Sequence, residues 1–224
     1  MSPVLFSPLI EQAIELSAQW HDGTYRKSRW RDPAFDVPPD ELLGVPVIAH
    51  VTTVALTVQR AGWDDTTVAA AFLHDVIEDA NQYGESLRYG ELCALMGQDV
   101  ADLVQALTEQ KLDAHGQYRT WQARKEDYVA HLPQAPAAAV AISLADKWHN
   151  LWTINASLER GINMFKAAPG RRRLSAGPAQ QRWFHQAVLT ASLSHPDPRL
   201  IPLREGLAAE ITRFEHLTRP SSAQ

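Results

Sequence analysis

Cysteine is almost absent: Cys93 is the only one in 224 residues. That excludes an intrachain disulfide framework and a thiolate metal cluster, and it fits a reducing compartment. Cys93 itself reads as a buried structural thiol. Positive charge is also short, with 21 Lys and Arg against 26 Asp and Glu and a net charge of -5. A general nucleic-acid binder needs a basic surface to displace counterions, so that class is excluded. No apolar run approaches the roughly 20 residues of a membrane-spanning helix, and residues 1–10 lack a basic stretch followed by an apolar core. A cytoplasmic protein is the expectation. Alternating strand patterns of useful length are missing, and so are internal repeats.

What is present is a chain 45% hydrophobic and 21% charged, the composition of one ordinary globular domain. Pro8 marks a first helical turn, and Ile10, Ile14 and Ala18 recur at helical spacing through Trp20. The pattern lapses over 28–44, where Pro33, Pro38 and Pro39 predict a long irregular segment of the kind that serves function. Helices are expected over 47–61, from the cap Asp64-Asp65 to about Ile77, and over 87–96, 99–109 and 117–132. Pro136 then opens an Ala/Val-rich helix that runs past Asn150. After a break at 168–173, helices near 179–194 and 200–217 form a C-terminal pair, followed by a disordered tail over 218–224. The fold class is all-α.

Polar groups interrupt three of the apolar runs. His50 follows Val47-Ile48-Ala49, His74-Asp75 follows Ala71-Phe72-Leu73, and Asp146 follows Ile142-Ser143-Leu144-Ala145. Buried carboxylates need a partner, an exposed helix end or a cation. Two imidazoles and two carboxylates suit a divalent metal with open positions; the oxygen content favours manganese, with zinc and iron as alternatives. If His74, Asp75, Glu78 and Asp79 share one helix, their three- and four-residue spacings put them on neighbouring rows. The plain alternatives are a helix end at His74-Asp75, a solvated terminus at Glu78-Asp79, and Asp146 paired with Lys147 or Arg160. The stretch from Tyr25 to Arg31 packs four cations and two aromatics into seven positions, a local anion site in an acidic chain. His149 reads as structural, and His21, His115, His131, His185, His195 and His216 as surface or capping residues. Trp20, Trp148, Trp152 and Trp183 read as core or interface, and Arg171 to Arg173 as a solvated turn.

The order Arg26-Lys27, His50, Leu73-His74-Asp75-Val76-Ile77-Glu78-Asp79 and Leu144-Ala145-Asp146-Lys147-Trp148-His149-Asn150 resembles the HD-domain metallohydrolases. Within them it is most similar to the hydrolase domain of RelA/SpoT homologues and the stand-alone small alarmone hydrolases, over roughly 11–154. The resemblance implies a helical HD bundle over 1–165 with an insertion at about 28–45, and the helices beyond it are expected to form a C-terminal extension over 166–217 on the same core. It implies His50, His74, Asp75 and Asp146 as metal ligands and Glu78 and Asp79 as the catalytic acids. Arg26, Lys27, Asn150 and Lys147 would bind the substrate. The implied reaction removes the 3′-pyrophosphate of guanosine tetra- or pentaphosphate with a metal-activated water, with manganese as the cofactor and a small nucleotide as the partner. Neither nucleic acid nor membrane is expected. A homo-oligomer built through the C-terminal pair stays open.

Three features depart from the family pattern. The connection after Arg26-Lys27 is long, Ala80 replaces the usual threonine, and Leu151-Trp152-Thr153 stands where an arginine is common. No synthetase domain follows in this sequence, so a monofunctional hydrolase is expected. Two alternatives remain at this level. One is an HD nucleotide phosphatase acting on another ester, such as NADPH or a nucleoside monophosphate. The other is a non-catalytic nucleotide-sensing module.

Overall fold

Ser7 accepts a hydrogen bond from the Ile10 N–H and Pro8 fills the first turn, so helix α1 begins at the expected turn and runs Pro8–Trp20. The computed structural model describes residues 5–30, 44–167 and 173–219, with backbone alone over 27–30. Two strands follow α1, β1 (Tyr25–Trp30) and β2 (Gly44–Pro46), paired antiparallel with Tyr25 opposite Pro46 and Trp30 opposite Gly44. They correct the expectation of a chain without strands and irregular throughout 28–44. A two-strand ribbon needs only backbone pairing, and its Tyr-Arg-Lys-Ser-Arg-Trp sequence has no apolar alternation to reveal it. Residues 31–43, with Arg31 and the three prolines, lie outside the described residues. So do Arg171, Arg172 and the tail from 220.

The remaining helices are α2 (Val47–Arg60), α3 (Asp65–Leu73), α4 (Tyr89–Met96), α5 (Gln98–Gln105), α6 (Trp121–His131), α7 (Ala137–Glu159), α8 (Pro178–Ser192) and α9 (Ile201–Thr218). The all-α expectation therefore holds, apart from the small ribbon. Asp64 caps α3 by accepting from the Thr67 N–H at 2.9 Å. Residues 67–73 of α3 are all buried, as expected of a helix that is apolar on every face. The 23-residue α7 is the axis of the bundle, and α2, α3, α8 and α9 all pack against it. Phe184 and Val188 of α8 and Leu207 and Phe214 of α9 join Leu144 and Leu151 of α7 in one apolar core. Among the described residues, no helix is long and apolar enough to cross a membrane.

Helix α3 stops at Leu73, and His74 caps it. Residues 74–79 form turns, closed by the Val76 N–H on Leu73 O at 3.1 Å and the Asp79 N–H on Asp75 O at 2.8 Å. This corrects the reading of one continuous helix to Ile77 with ligands and acids on adjacent rows. Three carboxylates in the last turns would face the negative end of the helix dipole, which favours termination there. His21 caps α1 as expected, although buried, whereas His185 departs from expectation and is buried within α8.

Helix α9 crosses the back of α7 at Gly206. A Cβ there would lie 2.5 Å from Cη2 of Trp148, a distance real packing does not allow. Gly206→Ala should therefore destabilise the protein by roughly 1–3 kcal/mol, despite alanine's better helix propensity, because ring or helix must shift. Urea unfolding measures this, and an unchanged midpoint would mean that the ring moves aside at no cost.

Candidate metal centre

Three elements deliver three buried donors to one point. His50 comes from the first turn of α2, His74 from the end of α3 and Asp146 from the middle of α7. One ligand atom from each lies within 4.8 Å of the others. His50 Nε2 stands 3.1 Å and His74 Nε2 3.8 Å from Asp146 Oδ1. Asp75 Oδ1 approaches the same His74 nitrogen at 3.4 Å from the rim of this trio.

The two imidazoles are oriented by their other nitrogens. His74 Nδ1 is 2.7 Å from Ala71 O. A carbonyl only accepts, so Nδ1 carries the proton and donates. Its Nε2 is then buried with no hydrogen-bond partner, an orphaned polar atom facing two carboxylates. His50 Nδ1 is hydrogen-bonded to Nδ1 of His149 at 2.6 Å, which turns His50 Nε2 toward Asp146. An outer hydrogen bond that fixes ring and tautomer is the usual support of a metal-binding histidine. The donor chemistry and the orphaned nitrogen both fit a divalent cation.

Electrostatics point the same way. Burial, and then the nearby Arg26 guanidinium, push the His50 pKa well below its usual value, which keeps the ring neutral as a ligand must be. Burial also acts against charge on His74, but Asp75 and Asp146 outweigh it and lift its pKa to about 9. Burial opposes ionisation of Asp146 too, yet Lys147 and the two histidines hold it well below the carboxylate range. The pocket thus calls for positive charge between its carboxylates. Asp146 is fully engaged, with Oδ2 accepting from Lys147 Nζ at 2.5 Å and Oδ1 from Asn150 Nδ2 at 2.5 Å. Arg26 of β1 in turn donates to Oδ1 of Asn150.

Beside this centre lies a cavity of about 290 Å³. Its lining mixes polar residues, Arg26, Asp75, Asp79, Lys125, Lys147 and Asn150 among them, with apolar ones that include Trp121, Ile154, Met164, Leu174 and Phe184, and Lys125 Nζ lies over the Phe184 ring, 4.6 Å from its centroid. The acidic pair sits on the turn after α3. Lys111 donates to Asp79 Oδ1 at 2.7 Å and to the Glu78 carbonyl at 2.5 Å, and Trp20 Nε1 donates to the Asp79 carbonyl at 2.9 Å. Burial, together with the Glu109, Asp75 and Asp79 carboxylates, raises the Glu78 pKa to about 7. A carboxyl tuned near neutrality is suited to accept a proton at physiological pH.

The structure brings together His50, His74, Asp146, Lys147, Asn150 and Arg26, with Asp75 at the edge and Glu78 and Asp79 on the adjoining turn. The side chain of Lys27 lies outside the described residues. Three contributors escaped the sequence reading. His149, read there as structural, orients a candidate ligand, and its place three residues after Asp146 on one helix carried that signal. Lys111 and Lys125 arrive from segments without a local motif.

A family model described as the HD domain matches residues 33–166, and the chain belongs to that family. Among curated relatives, the probable guanosine-3′,5′-bis(diphosphate) 3′-pyrophosphohydrolase of Synechocystis sp. is 34% identical over 115 residues, covering 50% of this chain and 14% of that one. The guanosine-3′,5′-bis(diphosphate) 3′-pyrophosphohydrolase MESH1 of Xenopus tropicalis is 30% identical, covering 64% of this chain and 68% of that protein. The chain spans less than a fifth of the length of the longer relatives it matches. The same fold occurs in lmo0812 from Listeria monocytogenes EGD-e, at TM-score 0.62 and 24% identity over 77% of this chain and 99% of that one. It also occurs in a metazoan ortholog of SpoT described as hydrolysing ppGpp, at TM-score 0.58 and 20% identity over 96% and 97%.

The hydrogen bond between His149 and His50 generates a prediction. His149→Ala should weaken divalent-metal affinity about 10- to 100-fold while leaving the fold intact. A chelator-competition titration measures it, and an affinity equal to wild type would remove His149 from the centre.

Proposed function

We propose that this chain is a metal-dependent phosphohydrolase that releases pyrophosphate from the 3′ position of guanosine tetra- and pentaphosphate. The observation that carries the reading is the cavity beside the His50–His74–Asp146 cluster that Asp75 and Asp79 line together with the cations Arg26, Lys125 and Lys147. Carboxylates and cations lining one cavity suit a cation-assisted reaction of a polyanion. The similarity to the MESH1 hydrolase of Xenopus tropicalis, at 30% identity over two thirds of its length, supports the choice of substrate.

In this reading His50, His74, Asp75 and Asp146 hold a divalent cation, with manganese favoured by the two carboxylate oxygens. Such a cation lowers the pKa of water toward neutrality and polarises a phosphoryl oxygen. Glu78 accepts the proton of the attacking water, and Asp79, fixed by Lys111, orients it. The water oxygen bonds to the phosphorus attached at the 3′ oxygen, the 3′ O–P bond breaks, and the 3′ oxygen leaves with a proton as a hydroxyl. Pyrophosphate departs toward Arg26, Lys125 and Lys147, which balance its charge. Asn150, tied to both Asp146 and Arg26, keeps the phosphate-binding and metal-binding groups in register. Lys27 is assigned to the same nucleotide site from its place beside Arg26. The single cysteine supports a reducing, cytoplasmic setting.

Manganese-loaded protein incubated with guanosine tetraphosphate should yield guanosine diphosphate and pyrophosphate. Absence of turnover at every metal loading would overturn the substrate, and orthophosphate release from nucleoside monophosphates or NADPH would identify a monoesterase instead. Glu78→Gln should lower kcat by at least about 100-fold with little change in KM, as expected when a proton acceptor is removed. Because the raised Glu78 pKa keeps the carboxyl protonated below about 7, kcat/KM should rise with pH through that value. A rate independent of pH from 5 to 8 would remove Glu78 as the base.

A further inference from the structure

Among the described residues, His185 is the buried imidazole on the cavity beside the candidate metal centre that the reaction above does not use. It belongs to α8, beyond the segment that matches the HD family model, and it is 2% exposed. Its Nδ1 lies 2.7 Å from the carbonyl of Gln181, one turn back on the same helix. A carbonyl can only accept, so Nδ1 carries the ring proton. Burial is the main cause that pushes the His185 pKa down to about 4, so the ring is neutral near pH 7. A neutral ring protonated at Nδ1 leaves Nε2 as a lone-pair acceptor. That nitrogen is buried and has no hydrogen-bond partner, and with Nδ1 turned onto its own helix it is the ring's unpaired nitrogen; His185 lines the cavity together with Gln181 and Phe184.

A buried acceptor without a partner is costly, and it persists where a ligand supplies the missing donor. Phosphate oxygens at neutral pH offer no such donor, whereas the sugar hydroxyls and the N–H groups of the base do. His185 follows Phe184 on α8 and lines the same cavity as the cations Arg26, Lys125 and Lys147.

We propose that His185 is a specificity-determining residue, whose Nε2 accepts a hydrogen bond from an O–H or N–H donor on the nucleoside part of the substrate. This rests on the nucleotide-hydrolase reading. By this assignment α8 reads the nucleoside while the HD segment performs the chemistry. A neutral imidazole in this tautomer selects for a donor and disfavours any nucleotide that presents a lone pair or an apolar edge at the same place.

The test compares wild type, His185→Leu and His185→Gln in steady-state hydrolysis of guanosine tetraphosphate, each protein first matched for metal content and thermal midpoint. Leucine removes the acceptor, whereas glutamine can place an amide oxygen near the Nε2 position. The expected result is a KM raised about 10- to 100-fold in His185→Leu at little cost in kcat, with most of the loss recovered in His185→Gln. The 2′-deoxy and inosine analogues locate the donor, since the one lacking it should lose affinity in wild type and lose nothing further in His185→Leu. An unchanged KM in His185→Leu, or a His185→Gln protein as impaired as the leucine variant, overturns the assignment. If wild type hydrolyses none of these nucleotides, the hydrolase reading falls by itself. Calorimetric binding of the same nucleotides then decides on His185, and equal affinities for wild type and His185→Leu, or no binding at all, reject it.

Discussion

The carboxylate of Asp146 is the point on which the rest of the site depends. It is buried in the middle of the longest helix and meets four groups, two from other elements and two from its own helix: His50 and His74 through Oδ1, Asn150 through the same oxygen, and Lys147 through Oδ2. A charge so placed is tolerable only when its neighbours compensate it. Helices α2 and α3 must therefore meet α7 at one height, because each brings an imidazole to the same oxygen. The apolar packing of α2 and α3 against α7 supplies the driving force, and the polar cluster selects the register in which that packing occurs.

The outer layers serve this register. Ser17 of α1 donates to the Phe72 carbonyl at 2.9 Å, and Trp20 reaches the Asp79 carbonyl, so α1 fastens the end of α3 where the site begins. On the far face, Trp148 lies against Gly206 of α9, and Asn155 donates to the Glu210 carbonyl at 2.9 Å. The helix that holds Asp146 is thereby gripped from behind by a segment outside the HD match. The candidate metal centre and α9 thus share α7 between them.

Much of this was legible in the sequence, for reasons that differ by element. Helix positions followed from start signals and periodicity that are local, such as Pro8 and Asp64, and the structure places them within a few residues of expectation. The residues that structure gathers around Asp146 announced themselves as polar interruptions in apolar runs. The β1–β2 ribbon escaped because its partners are separated by a long connection and its register rests on backbone groups. The break after Leu73 escaped because helical spacing cannot reveal where a helix yields to turns. Lys111 and Lys125 could not be found, since their role comes from tertiary approach to Asp79 and Glu109 rather than from neighbours in sequence. His185 had no motif at all, and its interest lies in an unpaired nitrogen that only three-dimensional packing defines.

The carbonyls of Glu78 and Asp79 are each held by a donor from elsewhere, one by Lys111 and the other by Trp20. Pinning two successive peptide groups removes backbone freedom from the turn that carries the acids. What remains to Glu78 is rotation about its own side-chain bonds. The carboxyl proposed as proton acceptor is thus a short crank on a fixed bearing, free to turn while the peptide groups that carry it are held.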